Sequence, residues 1–393
     1  MDILLAAGRR TPFGDFGKSL RDVPLTDLGA HAARAAMAAA RLDPERVDHL
    51  TFGNVVPVDR DGHFASRRVA LGAGLPTGSA AVNVNRACAS GTEAIAAAAR
   101  LIRSGDSRIA VAAGGESFSR VPYVVEAMRW GARRGPAEME DGLDRAYRCP
   151  FSREYMGETA ENLADEDGDT REAMDAWGLM SQRRAQAAIE GGFLARQIAP
   201  IEVPDGRGTR LFAADEFPRF GITAEKLASL RPVYRKDGRV TAGSSSGVTD
   251  GAAAVVVGEA GALREAGVEA EARVVDAAVA GVPPRIMGAG PVPAIGKLLA
   301  RNGLSVADID CWEINEAFAV VNLYAERRLG IPRERTNLYG GGISIGHPPG
   351  ATGIRMTITA MHHLADTGGR YGVISMCAGG GQGMAMLIEN LRR

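Results

Sequence analysis

The chain has 393 residues, 46% hydrophobic and 24% charged, with a formal net charge of -1. That describes a soluble globular protein long enough for two or three domains, and its charge balance gives no electrostatic case for nucleic acid or an anionic membrane. Four cysteines spread without a C-x-x-C pair argue against a disulfide framework and a structural zinc site, and no metal is expected.

Residues 2–7 read as a buried strand, followed by the breaker-rich turn Arg9-Arg10-Thr11-Pro12-Phe13-Gly14. Helical spacing of Leu28, Ala32, Ala35, Ala36 and Ala39 predicts a helix from about Asp27 to Ala40. The stretch 47–56 alternates like a strand. A short strand-like segment then ends at Cys88, and an Ala-rich run with helical character starts at Ala89. A cysteine at a helix N-terminus meets unpaired N–H groups that favour a thiolate. Taken alone, though, a cysteine is commonly just a small buried hydrophobe. The strand 109–113 ends in Gly114-Gly115-Glu116, and strand and helix alternate as in a layered α/β fold.

From about Phe118 to Ser246 the texture changes to scattered Met, two of the three Trp and charge-rich helices such as Arg171 to Glu190. The Pro- and Gly-rich stretch 204–220 is expected to be surface loop. The whole region reads as an insertion covering one face of the core. Buried-strand composition returns at 250–257, and the C-terminal part repeats the N-terminal part in order and spacing: 41–54 against 303–316, and 94–115 against 357–381. This divides the chain into a first core half, 1–117 with 247–270, a cover domain, 118–246, and a second core half, 271–393.

Three further segments of the second copy stand out: Asn315-Glu316-Ala317-Phe318, the glycine-dense run 340–353 around Gly346-His347-Pro348, and Cys377-Ala378-Gly379-Gly380-Gly381. Glycine this dense lets backbone approach a ligand closely and frees N–H groups to point into a site. The run lacks Gly-Lys-Ser/Thr, which excludes a P-loop.

With the segment around Cys88, these motifs resemble the thiolase family over nearly the full length. The resemblance implies a thiolase-like fold, two duplicated α/β halves forming a layered αβαβα core with an inserted cover domain. It also implies an acetyl-CoA C-acyltransferase that thiolyses 3-ketoacyl-CoA or condenses two acetyl-CoA. Cys88 would be the nucleophile, His347 its base and Cys377 the second acid/base. One oxyanion hole would use the backbone N–H groups of Cys88 and Gly379, a second His347 and a water held by Asn315. Met156, Arg219 and Ser246 would line the CoA channel, with Phe318 beside the acyl pocket. CoA enters as co-substrate, and no permanently bound cofactor is implied. A cytoplasmic homodimer or homotetramer acting on fatty-acid thioesters is expected. Two alternatives remain at this stage: a ketoacyl synthase-like condensing enzyme, and a non-catalytic acyl-CoA or sterol-carrier binding protein.

The chain departs from the family pattern at Tyr155, where acetoacetyl-CoA thiolases usually show His, and at Ser244-Ser245-Ser246, where many members have Asn-Ala-Ser. The glycine pair before Glu116 is shifted by one, and the stretch 131–150 is longer than in short biosynthetic members. These differences leave the acyl chain length open.

Overall fold

The computed structural model describes residues 1–392. Its centre is one ten-stranded sheet. From one edge to the other run Cys311–Ile314, Tyr371–Ala378, Gln382–Asn390, Ala272–Gly281, Ile3–Arg10, Thr249–Glu259, Ile109–Glu116, His49–Gly53 and Ala80–Val84, with the short Gly14–Asp15 strand attached to Thr249–Glu259. The duplication is visible in the pairing. His49–Gly53 lies parallel to Ile109–Glu116, as Cys311–Ile314 lies parallel to Tyr371–Ala378. In each half the next strand is antiparallel. Within the sheet the halves are joined by two residue pairs, Leu4 with Arg273 and Leu5 with Ala272.

Strand alternation sorts side chains into layers. Ile109, Val111 and Ala113 face outward onto the helix Leu25–Ala40, whereas Ala110 and Ala112 face the helices Ser90–Ser104 and Pro349–Thr367. In the second half Val373, Ala385 and Leu387 face the outer helix Pro291–Asn302, while Ile374, Met376, Met384 and Met386 face the same two central helices. The order is therefore helix, sheet, paired helices, sheet, helix. Both central helices are buried for most of their length, which explains their small and apolar composition on every side. Backbone contact brings their first turns together, because a Cβ at Gly91 would press on the carbonyl of Gly350.

None of the strands within 118–246 joins the central sheet. The helix Arg171–Glu190 starts where its sequence predicts, with Thr170 capping the N–H of Ala173. The expected loop at 204–220 is instead partly a hairpin, Ile201–Asp205 paired with Gly208–Phe212. Pro204 and Gly206 read as breakers, but here they shape the hairpin's end and its turn. Among the described residues no helix is long and apolar enough to cross a membrane.

Candidate active site

The strand Ala80–Val84 gives way to a tight turn before the helix Ser90–Ser104. Ala87 takes a left-handed φ of 44°, with its N–H held by Asn85 Oδ1 at 2.9 Å. Ser90 Oγ accepts from the N–H of Arg86 and donates to the carbonyl of Ala87. Cys88 is thereby presented just ahead of Ala89, a helix cap whose side chain makes no hydrogen bond. Burial pushes the Cys88 thiol up to about 11, opposed by the backbone N–H groups of Gly379 and of Cys88 itself. The helix-terminus argument, which expects a thiolate, loses to desolvation. At neutral pH Cys88 is a thiol and needs a base.

His347 lines the same cavity as Cys88. Gly346, at φ 108°, turns the chain against Thr249 and sends His347 inward. The ring Nδ1 lies 2.7 Å from Thr352 Oγ1, which gives its own proton to the carbonyl of Pro348 at 2.9 Å. With its one proton committed, the hydroxyl accepts from Nδ1–H, which leaves Nε2 unprotonated and able to accept. Asn315 Nδ2 stands 3.3 Å from that Nε2. Burial, reinforced by the Arg355 charge, pushes the imidazole down to about 3, so it is neutral at rest.

Asn315 closes the end of the strand Cys311–Ile314, and its neighbour explains its position. The buried Glu316 carboxylate accepts from Trp177 Nε1 at 3.0 Å, Ser181 Oγ at 2.6 Å and the N–H of Ile343 at 3.2 Å. One side chain thus ties the cover segment, the strand end and the glycine-dense loop together. Asn315 Oδ1 is buried without a partner, which fits a polar atom reserved for something that enters the site.

Cys377 lies near the end of Tyr371–Ala378, where three glycines turn the chain into Gln382–Asn390; Gly380 and Gly381 both have positive φ. This turn aims the N–H of Gly379 at the Cys88 sulfur. Burial, first of all, raises the Cys377 thiol well above its usual range, so it is protonated at rest.

Cys88, His347, Gly379 and Met156 line one cavity of about 240 Å³. Met156 also borders a neighbouring hollow with Ser246 and Phe318. Arg219 does not border either; it lines a third hollow beside Ala242 and Gly243, and its guanidinium pairs with Asp15 at 3.1 Å. Cys149 and Cys311 are buried and stand outside the lining of the Cys88 cavity. Sequence reasoning missed Thr352, Glu316 and Tyr147. The first two sit inside quoted motifs, but only the fold shows what they hold. Tyr147 lines both the Cys88 cavity and the Ser246 hollow and carries no sequence signal.

Comparison with known proteins agrees with this geometry. Residues 3–261 match the family "Thiolase, N-terminal domain" and residues 268–390 the family "Thiolase, C-terminal domain". The chain is 42% identical over 391 residues to beta-ketothiolase BktB of Cupriavidus necator, covering 99% of each. It superposes on human mitochondrial 3-ketoacyl-CoA thiolase with a TM-score of 0.97 at 40% identity, covering 99% of each chain. The same human enzyme in complex with CoA superposes at 0.96, also at 40% identity, covering 99% of this chain and 98% of that one.

Proposed function

The chain belongs to the thiolase family, and from that membership we propose that Cys88, His347 and Cys377 carry its chemistry in the following way. The activity is thiolase activity, an acyl transfer to CoA, and neither alternative class is favoured. His347 Nε2 takes the Cys88 proton as the sulfur attacks the 3-keto carbon of the substrate. The oxygen of that carbon becomes an alkoxide facing the N–H groups of Cys88 and Gly379. The bond between the α and β carbons then breaks. Its electron pair goes to the acetyl-CoA enolate, whose oxygen is held by His347 Nε2–H and a water on Asn315, and whose carbon takes the Cys377 proton. CoA then attacks the thioester on Cys88, giving up its thiol proton to Cys377, and Cys88 leaves and recovers its proton from His347. Removing one oxyanion donor typically costs roughly 3–4 kcal/mol of transition-state stabilisation.

The observation that supports this reading is the bond between His347 Nδ1 and Thr352, which leaves Nε2 unprotonated on a residue lining the same cavity as Cys88. Its test is loss of acetoacetyl-CoA absorbance on adding CoA, repeated with a longer 3-ketoacyl-CoA. No turnover with either substrate would overturn it.

The CoA arm would leave the Cys88 cavity past Met156 and Ser246. Its nucleotide would lie toward Arg219, since the run 242–246 borders both hollows. The edge strand Ala80–Val84 is largely exposed and its outer side has no partner strand; edges of this kind are usually covered, and we place a second copy of the chain there. The free thiols suit a reducing compartment such as the cytoplasm. Degradation of fatty-acyl thioesters is the direction this site would serve, since cleavage needs no driving force beyond CoA.

A further inference from the structure

The acyl group left on Cys88 needs somewhere to lie, and the walls around that sulfur are unlike those next door. Val55, Ala87, Phe118, Ala146 and Pro150 face the Cys88 cavity with carbon. The neighbouring hollow is more mixed, setting Leu143, Val248 and Phe318 beside Tyr234 and Ser246 and the already paired Asp144 and Tyr155. A 3-ketoacyl thioester diverges from its reacting carbons into two arms, one bearing the amides of CoA and the other a hydrocarbon tail. Amides left unpaired against carbon are costly, and hydrocarbon gains from leaving water. The amide arm therefore belongs with Ser246 and the tail with Ala87 and Ala146. Met156 and Tyr147, which border both spaces, stand where the arms part.

Size points the same way. The cavity leaves about 240 Å³ beside Cys88, more room than an acetyl group needs. Ala87 and Ala146 contribute only methyl groups to the wall. Ala146 and Pro150 are exposed, so the cavity opens to solvent at that end. The one charged wall residue, Arg148, is already engaged: Nε meets Asp144 at 2.9 Å, Nη2 meets the Tyr155 hydroxyl, and the guanidinium stacks on the Tyr155 ring at 3.8 Å. Its charge is thus already balanced by the Asp144 carboxylate rather than held ready for a tail ending in one.

We propose that Ala146 is a specificity-determining residue of this site. Its small side chain keeps open an apolar, open-ended passage for uncharged acyl chains longer than acetyl. This rests on the thiolase reading. The test measures CoA-dependent thiolysis of acetoacetyl-CoA, 3-ketooctanoyl-CoA and a 3-oxo thioester ending in a carboxylate, together with the mass of the acyl group on Cys88. The wild type should favour 3-ketooctanoyl-CoA. In A146F the ratio of kcat/KM for 3-ketooctanoyl-CoA over acetoacetyl-CoA should fall about tenfold or more. A146V, a smaller plug less apt to disturb folding, should fall between. An unchanged ratio in both variants, or a wild-type preference for acetoacetyl-CoA or the carboxylate-ended chain, overturns the proposal and leaves the thiolase reading standing. Absence of turnover and of any Cys88 adduct with all three substrates overturns the thiolase reading itself.

Discussion

Thr352 Oγ1 stands 2.7 Å from His347 Nδ1 and shares the run that carries the histidine, in the first turn of the helix Pro349–Thr367. The helix that begins two residues after His347 thus carries the hydroxyl that selects which imidazole nitrogen holds the proton. Removing the hydroxyl leaves the tautomer free. We expect Thr352→Val to lower kcat by about tenfold or more, with KM for CoA little changed, and Thr352→Ser to restore most of the loss. Steady-state kinetics of the pair checks this, and a Val variant with full kcat would show that the bond is incidental.

Cys377 is held as a thiol, so its loss should separate carbon chemistry from acyl loading. In Cys377→Ser, turnover should fall by about 10²–10⁴-fold, and exchange of acetyl-CoA methyl hydrogens with deuterium should cease. Cys88 should still take up an alkylating agent. Proton exchange persisting in the variant would assign that role to another group.

The reactivity of Cys88 should follow its own titration alone. With the thiol near 11 and His347 near 3, neither group changes charge between roughly pH 6 and 9, and the thiolate fraction grows about tenfold per pH unit. Alkylation by iodoacetamide should therefore climb steadily through that window. An inflection near the ordinary imidazole value would mean that His347 titrates and is not held neutral by burial.

Gly350 allows the helix Pro349–Thr367 to begin against the sheet. A Cβ there would collide with the carbonyl oxygens of Gly53 and Gly115, which are backbone and cannot swing aside. Gly350→Ala should cost about 1–3 kcal/mol, read as a lower denaturant midpoint, and should reduce activity by shifting His347. A variant of unchanged stability would show that the strands yield.

The approach of Cys88 and His347 to one cavity was legible because each sits beside glycines that mark a turn, and the duplicated halves were legible because strand and helix recur in the same order. The His347 tautomer and the hook formed by Glu316 were not, since Thr352 and Trp177 acquire meaning only through contacts that no local pattern encodes. The charge state of Cys88 was misread for a related reason: a helix terminus can be seen in sequence, whereas the burial that outweighs it is a property of the assembled pocket. The 201–212 hairpin was read as loop because its Pro and Gly are turn residues in either case.

The two halves of the sheet touch through two residue pairs, yet the helices Ser90–Ser104 and Pro349–Thr367 lie against each other at the centre. Either half by itself would expose an entire apolar helix face and would possess only part of the proton-relay machinery. The smallest independently viable unit is thus the fused doublet. Separated fragments should aggregate unless co-expressed, and the return of catalysis on mixing would report docking of the halves.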